Sequence, residues 1–116
     1  MKVDKRHATH PDQVIGLSTE KLRNYYLVPE VFVPGDITLT LSHIERMVTG
    51  GAMPTAASLT LDKVPELATG SFLEGRELGV INVGGAGTVT VDGTAHDVVA
   101  REGMYIPMGT ATVTFA

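Results

Sequence analysis

Several small groups of residues in this chain carry side chains able to do chemistry. Arg76-Glu77 sets a guanidinium next to a carboxylate. On a strand, neighbours face opposite ways, so one would point inward and the other outward. Glu77 is therefore the candidate for a carboxylate that moves a proton or lines a pocket, against a plainer role as a hydrogen-bonded structural group. His43 and Arg46 close an alternating run. There an imidazole can orient a hydroxyl and a guanidinium can pair with a carboxylate; a packed histidine and a surface arginine is the alternative. His96 and Asp97 are adjacent, which on a strand sends them to opposite faces and denies them a relay. His7 and His10 would share a metal only on a helix, which Pro11 opposes. Gly84-Gly85-Ala86-Gly87 resembles a phosphate cradle, but Thr90 stands where its last glycine belongs and strand-forming residues follow. It reads as a turn.

The elements that must position these groups are mostly strands. Residues 1–18 are polar and interrupted by Pro11 and Gly16, and read as an extended arm. Ser18 or Thr19 caps a helix over 19–26 that ends before Pro29. Beyond Pro29 the apolar period becomes two. Runs at 31–33, 37–41 and 44–49 are separated by Pro34-Gly35-Asp36, with Gly50-Gly51 as a following turn. Further runs lie at 58–61, 78–83, 87–91, 95–99, 104–106 and 110–115, and Asp92-Gly93 joins two of them as a two-residue hairpin. Met47, Met53, Met104 and Met108 read as gap fillers in or beside the core.

With 116 residues the chain suits one domain, and 43% hydrophobic against 19% charged residues is the balance of a folding chain. A formal charge of −4 argues against nucleic acid as a partner. The absence of cysteine excludes a disulfide framework, a thiolate metal site and a cysteine nucleophile. No run approaches the roughly 18 apolar residues of a membrane span, and no signal-like segment follows the N-terminus. The expectation is a protein of the cytoplasm with no membrane partner.

The order of motifs narrows the fold. Gly87 to Gly93 followed by Arg101-Glu102-Gly103-Met104-Tyr105-Ile106-Pro107-Met108-Gly109 resembles a cupin: a glycine entering a strand, a hairpin, an acidic-glycine turn in which Gly103 turns the chain, then Pro-x-Gly. An all-β, cupin-type jelly-roll barrel is expected over residues 19–116, with the arm and one short helix before it. Cupins commonly hold a metal with two histidines and a glutamate from one motif and a histidine from another. Glu77 keeps the six-residue spacing to Gly84, but Gly70 and Phe72, or Ser71 and Leu73, occupy the histidine positions, and Thr112 occupies the last. Three of the four ligands are missing, so no metal is expected in this chain. The remaining arrangement would be an ion held by His43, Glu77 and His96.

Leu41-Ser42-His43-Ile44-Glu45-Arg46, Gly50-Gly51-Ala52-Met53-Pro54, Arg76-Glu77-Leu78-Gly79-Val80-Ile81-Asn82-Val83-Gly84-Gly85-Ala86-Gly87 and Val91-Asp92-Gly93 with His96-Asp97 are similar to the bacterial 5-keto-4-deoxyuronate isomerases, also called 4-deoxy-L-threo-5-hexosulose-uronate ketol-isomerases. The resemblance covers most of the chain, from about Leu17 to Ala116. It implies a two-cupin, zinc-binding, hexameric enzyme of pectin and uronate breakdown. Such an enzyme converts 5-dehydro-4-deoxy-D-glucuronate to 3-deoxy-D-glycero-2,5-hexodiulosonate. It implies also that the zinc ligands, three histidines and a glutamate, sit in a second cupin half that this chain does not reach, so none is carried onto a residue here. The chain is then expected to be the N-terminal cupin domain and inactive alone. Its partners would be the C-terminal half, a deoxyuronate substrate and further copies, with Glu77, His43 and Arg46 as its candidate catalytic residues. The alternative is a free-standing, metal-free cupin that binds a uronate-like sugar without catalysis.

Overall fold

Ser18 accepts a hydrogen bond through its hydroxyl from the Lys21 amide at 3.3 Å and starts the expected helix, Thr19–Tyr26. It closes with the Leu27 amide donating to the Arg23 carbonyl. The computed structural model describes residues 1–116, and these pack as two units, Met1–Ala52 and Met53–Ala116.

The first unit is built on a three-stranded sheet in the order β1 (Lys2–Arg6), β2 (Ile37–Ser42), β3 (Val48–Ala52). Residues 2–6, which by sequence belong to an extended arm, pair in parallel with β2, Lys2 opposite Thr38 and Arg6 opposite Ser42. Polar alternation hides such a strand, because its hydrogen bonds come from a distant segment. A one-turn helix, α1 (Pro11–Val14), follows, capped by His10, whose Nδ1 accepts from the Asp12 amide at 3.2 Å; α2 is Thr19–Tyr26. As the central strand, β2 is buried on both faces, with Ile37, Leu39 and Leu41 on one and Thr38 and Thr40 on the other.

Three local expectations are corrected in this unit. Val31–Val33 form no strand; the Val31 carbonyl accepts instead from the Thr38 hydroxyl. The run 44–49 is interrupted by a loop at 43–46, closed where the Ser42 amide donates to the Met47 carbonyl at 2.8 Å. Gly50 and Gly51 do not turn the chain but lie inside β3, opposite Leu39 and Thr38. A side chain at Gly50 would run into the Thr38 carbonyl, and one at Gly51 would stand 2.5 Å from the Val31 carbonyl and 2.7 Å from the Phe32 ring. Glycine is needed there for close approach, not for a turn.

The second unit holds a four-stranded sheet in the order β4 (Leu59–Thr60), β9 (Val113–Phe115), β6 (Gly87–Val91), β7 (Thr94–Val98), and a two-stranded sheet of β5 (Leu78–Ile81) with β8 (Gly103–Ile106). A 3₁₀ turn spans Pro65–Leu67. All pairings here are antiparallel. The core is Leu61, Val64, Phe72, Leu73, Val89, Val98, Ile106 and Val113. Buried Thr110 satisfies its hydroxyl on the Pro107 carbonyl at 2.8 Å. The all-β class expected from the sequence is the class observed; the strands lie in three sheets and do not close into one barrel.

Asp92-Gly93 is the expected hairpin, with φ of 45° and 84°, the pair of positive values that a type I′ turn requires. Asp92 does more than turn. Its Oδ1 accepts from the Thr112 amide at 2.7 Å, the Ala111 amide at 3.0 Å and the Thr112 hydroxyl at 3.2 Å, tying the hairpin to the start of β9. Gly103 does not make the turn assigned to it. Arg101 does, at φ 72°, while Gly103 lies in β8 opposite Ile81. The methionines are also corrected: Met47, Met53 and Met108 are 59%, 40% and 63% exposed, and only Met104 is half-buried.

Candidate functional site

In the first unit, the parallel register of β1 on β2 decides where His43 sits. The pairing of Arg6 with Ser42 continues one step, with the His43 amide donating to the Arg6 carbonyl at 2.9 Å. This sets His43 beside His7, rings stacked with centroids 5.4 Å apart and planes within 2°. The histidine pair of this fold is thus His7 with His43. His10, the partner considered from spacing, is occupied as the cap of α1. Arg46 ends the same loop at φ 58°, a backbone region that disfavours non-glycine residues, and its side chain is exposed. The loop is shaped by Ser42, whose hydroxyl accepts from the Ile44 amide and donates to Glu45, both at 3.3 Å.

Glu77 lies in the second unit, just before β5. Leu78 pairs with Ile106 and Gly79 with Tyr105, so alternation places Glu77, Gly79 and Ile81 on one face with Tyr105 and Gly103. The Tyr105 hydroxyl donates to Glu77 Oε2 at 2.8 Å. Gly79 adds no side chain beside the ring, which stays 63% exposed, and Ile81 is 73% exposed. Arg76 goes the other way, as alternation requires, half-buried with its guanidinium 5.9 Å from the centre of the Phe72 ring and its Nε without a hydrogen-bond partner. Sequence reasoning missed Tyr105 as the partner of Glu77. Both strands were legible, but only the register brings the two residues together.

The hydrogen bond to Glu77 holds the Tyr105 phenol above its ordinary pKa, with desolvation and the nearby carboxylate charge adding to it. A raised folded-state pKa gives stability that is in place below the ordinary phenol pKa and is lost as pH climbs through the folded value. In a tyrosinate absorbance titration, Tyr105→Phe is expected to remove a late-ionising phenol, and Glu77→Gln to move it to lower pH. An unchanged curve in Glu77→Gln would refute the coupling.

His96 and Asp97 are on β7, opposite Val89 and Thr88, and both are exposed. Asp97 Oδ1 accepts from the Thr88 hydroxyl at 3.2 Å, a cross-strand pair with no part for His96. Gly84-Gly85 is a turn, as the sequence implies. Asn82 pins it, accepting from the Gly84 amide at 2.9 Å and donating to the Gly85 and Val98 carbonyls at 2.7 and 2.8 Å. In neither unit do three His, Asp or Glu side chains converge on a place for a metal ion. Of the arrangement considered for an ion, His43 lies in the first unit and Glu77 and His96 in the second.

No protein-family model matches the chain. It is 47% identical over 111 residues to the 4-deoxy-L-threo-5-hexosulose-uronate ketol-isomerase of Levilactobacillus brevis, across 96% of this chain and 40% of that protein. It is 46% identical over 114 residues to the protein of that name from Bacillus pumilus, across 98% and 42%. With the protein of that name from Escherichia coli O8 it shares 42% over 116 residues, 98% and 42%. The chain is similar along nearly its whole length to these ketol-isomerases. It spans about two fifths of the length of the curated ketol-isomerases it matches, corresponding to their N-terminal part. Glu77, His43 and Arg46 are the candidate residues of this segment, the first in one unit and the other two in the other. No helix is long and apolar enough to cross a membrane.

Proposed function

We propose that residues 1–116 are the N-terminal domain of an aldose-ketose isomerase acting on 4-deoxy-L-threo-5-hexosulose uronate, serving as scaffold and assembly surface for the rest of the protein. The observation that supports this reading is identity of 46–47% with proteins of that name across nearly the whole chain. Ketol isomerisation moves a proton from the carbon beside a carbonyl to the former carbonyl carbon through an enediolate, with the hydroxyl proton moving in the same sense, from the hydroxyl oxygen to the former carbonyl oxygen. No net oxidation occurs and no atom is gained or lost. Glu77 is a carboxylate able to take part in such a transfer, and Tyr105 fixes its orientation. His43 is suited to a sugar hydroxyl and Arg46 to the substrate carboxylate. Zinc belongs, on this reading, to the part of the protein beyond residue 116. The complete enzyme is a cytoplasmic hexamer of pectin and uronate catabolism.

The test is a chimera in which residues 1–116 replace the matching segment of the Levilactobacillus brevis relative. Turnover within about tenfold of the parent is the expected result. A folded chimera without turnover overturns the proposal, and chelator-sensitive turnover by the 116-residue chain alone overturns the scaffold role. In the chimera, Glu77→Gln is expected to lower kcat by about 100-fold, beyond any loss of stability. A loss no greater than the accompanying destabilisation would leave Glu77 a purely structural group.

A further inference from the structure

The second unit gathers exposed aliphatic side chains at one of its ends. Ile81 is 73% exposed where β5 finishes, Val83 is 68% exposed just beyond it, and Val99 is 50% exposed just beyond β7. Apolar residues exposed singly are ordinary, but three β-branched ones at the same end of a small unit make a patch of the kind that a partner covers. The backbone beneath them is fixed. The Asn82 amide donates to the Glu102 carbonyl at 2.9 Å and the Asn82 carbonyl accepts from the Arg101 amide at 2.7 Å, which carries the pairing of β5 with β8 past Ile81. The Asn82 side chain donates to the Val98 carbonyl and so ties the end of β5 to the end of β7, while the Val99 amide is held by Glu102 Oε2. Ile81, Val83 and Val99 thus flank one hydrogen-bonded junction. Side chains on so fixed a backbone have little freedom left to lose when they are covered.

Two further observations bear on what covers the patch. The first is the place of Ala116. Its amide and carbonyl exchange hydrogen bonds with Thr88, at 2.9 and 2.8 Å, and Thr88 follows Gly87, which opens β6 opposite Val98. Ala116 therefore lies at the same end of the unit as Ile81, Val83 and Val99, across β6 from the Val98 carbonyl that Asn82 binds. The second is the sheet of β5 and β8. It has only two strands, so each has an outer edge with no neighbour, and a pair of strands is marginal by itself. The ketol-isomerases that the chain matches hold about three fifths of their length outside the matched part.

We propose that this patch is the surface on which the part of the protein beyond residue 116 docks, through an apolar segment that covers Ile81, Val83 and Val99. The proposal rests on the reading of residues 1–116 as an N-terminal domain, and it adds to that reading the residues that make the contact. A segment leaving Ala116 starts beside the patch and reaches it without crossing the unit. The contact is apolar at its centre, with Arg101 and Glu102 of the neighbouring turn at its rim, the division usual for a specific interface.

The test uses the absence of cysteine, which makes Val83→Cys a unique thiol in residues 1–116. Its alkylation by iodoacetamide is compared between the 116-residue chain and the chimera with the Levilactobacillus brevis relative, by mass spectrometry of the peptide that carries it. In the chimera the thiol is expected to react about tenfold or more slowly than in the 116-residue chain. Thr94→Cys, exposed at the opposite end of β7, is expected to react at similar rates in both. A photoreactive p-benzoylphenylalanine in place of Val99 of the chimera is expected to cross-link to peptides from beyond the exchanged segment. In a chimera that turns over, equal rates at position 83 in the two proteins, equal slowing at position 94, or cross-links confined to residues 1–116 of another copy overturn the docking proposal and leave the N-terminal reading standing. A chimera without turnover overturns that reading and the docking with it. Slow alkylation at position 83 of the 116-residue chain that speeds up on dilution assigns the patch to a second copy and likewise overturns the proposal.

Discussion

Gly50→Ala is expected to destabilise the chain by about 3 kcal/mol, at the upper end of overpacking costs, because the new methyl is aimed at backbone. A Cβ at this position meets the Thr38 carbonyl and stands 2.9 Å from Leu39 Cδ2. The carbonyl belongs to β2, which β1 and β3 hold from either side, so it has little freedom to withdraw. Relief requires β3 to separate from β2, exposing Leu39 and its neighbours Ile37 and Leu41. Gly75→Ala is the control, since a Cβ there meets nothing within 4 Å. The chain has no tryptophan, so urea unfolding followed by far-ultraviolet circular dichroism is the suitable measurement. A Gly50→Ala midpoint equal to that of Gly75→Ala would show that the two strands are not in the close contact described.

Ile106→Ala is expected to cost about 3–4 kcal/mol, within the range for truncating a fully buried aliphatic side chain. Ile106 is 0% exposed and closes β8 directly opposite Leu78. Its removal leaves a cavity in the core of the second unit, where Leu73 and Val64 are also almost wholly covered. Ile81 on the paired strand is 73% exposed, and Ile81→Ala should change stability by less than about 0.5 kcal/mol. The same chemical change at two positions of one small sheet thus separates burial from composition. Comparable losses at both would contradict the assignment of inner and outer faces on which the placement of Glu77 and Tyr105 depends. A total stability of order 5–15 kcal/mol makes either core variant a serious perturbation.

The two expectations concern positions that sequence reading treated unequally. Ile106 was legible as a strand residue because period-two alternation reports local geometry. Gly50 was misread because glycine has two uses, a turn and a close approach, and composition does not distinguish them. The same ambiguity gave Gly103 a turn that Arg101 makes. Arg101 could not be foreseen there, since a non-glycine residue at positive φ is held by its surroundings: its amide donates to the Asn82 carbonyl at 2.7 Å, and the Val99 amide is taken by Glu102 Oε2 at 2.8 Å. Asp92-Gly93 was read correctly, because there residue preference and backbone requirement coincide.

The candidate site divides along the same line. Alternation alone separates Arg76 from Glu77 and His96 from Asp97, and the structure has both pairs facing apart. What no local pattern reveals is the partner across a ladder. Tyr105 reaches Glu77 because β5 and β8 pair with Gly79 opposite Tyr105, and His43 stacks on His7 because β1 joins β2 in parallel. The hydrogen bonds from the Arg6 guanidinium to the Asn24 and Leu27 carbonyls likewise need β1 and α2 together, and β1 is a strand only because β2 offers it an edge.

By itself the sequence determined the β class, the capped helix at 19–26, the hairpin at Asp92-Gly93 and the similarity to the ketol-isomerases, since each rests on residue preference within a few positions or on identity along the chain. Tertiary structure alone decided which strands pair, in what direction and register, and therefore which side chains meet. Backbone hydrogen bonds between distant segments set that choice, and a backbone amide or carbonyl looks the same at nearly every residue.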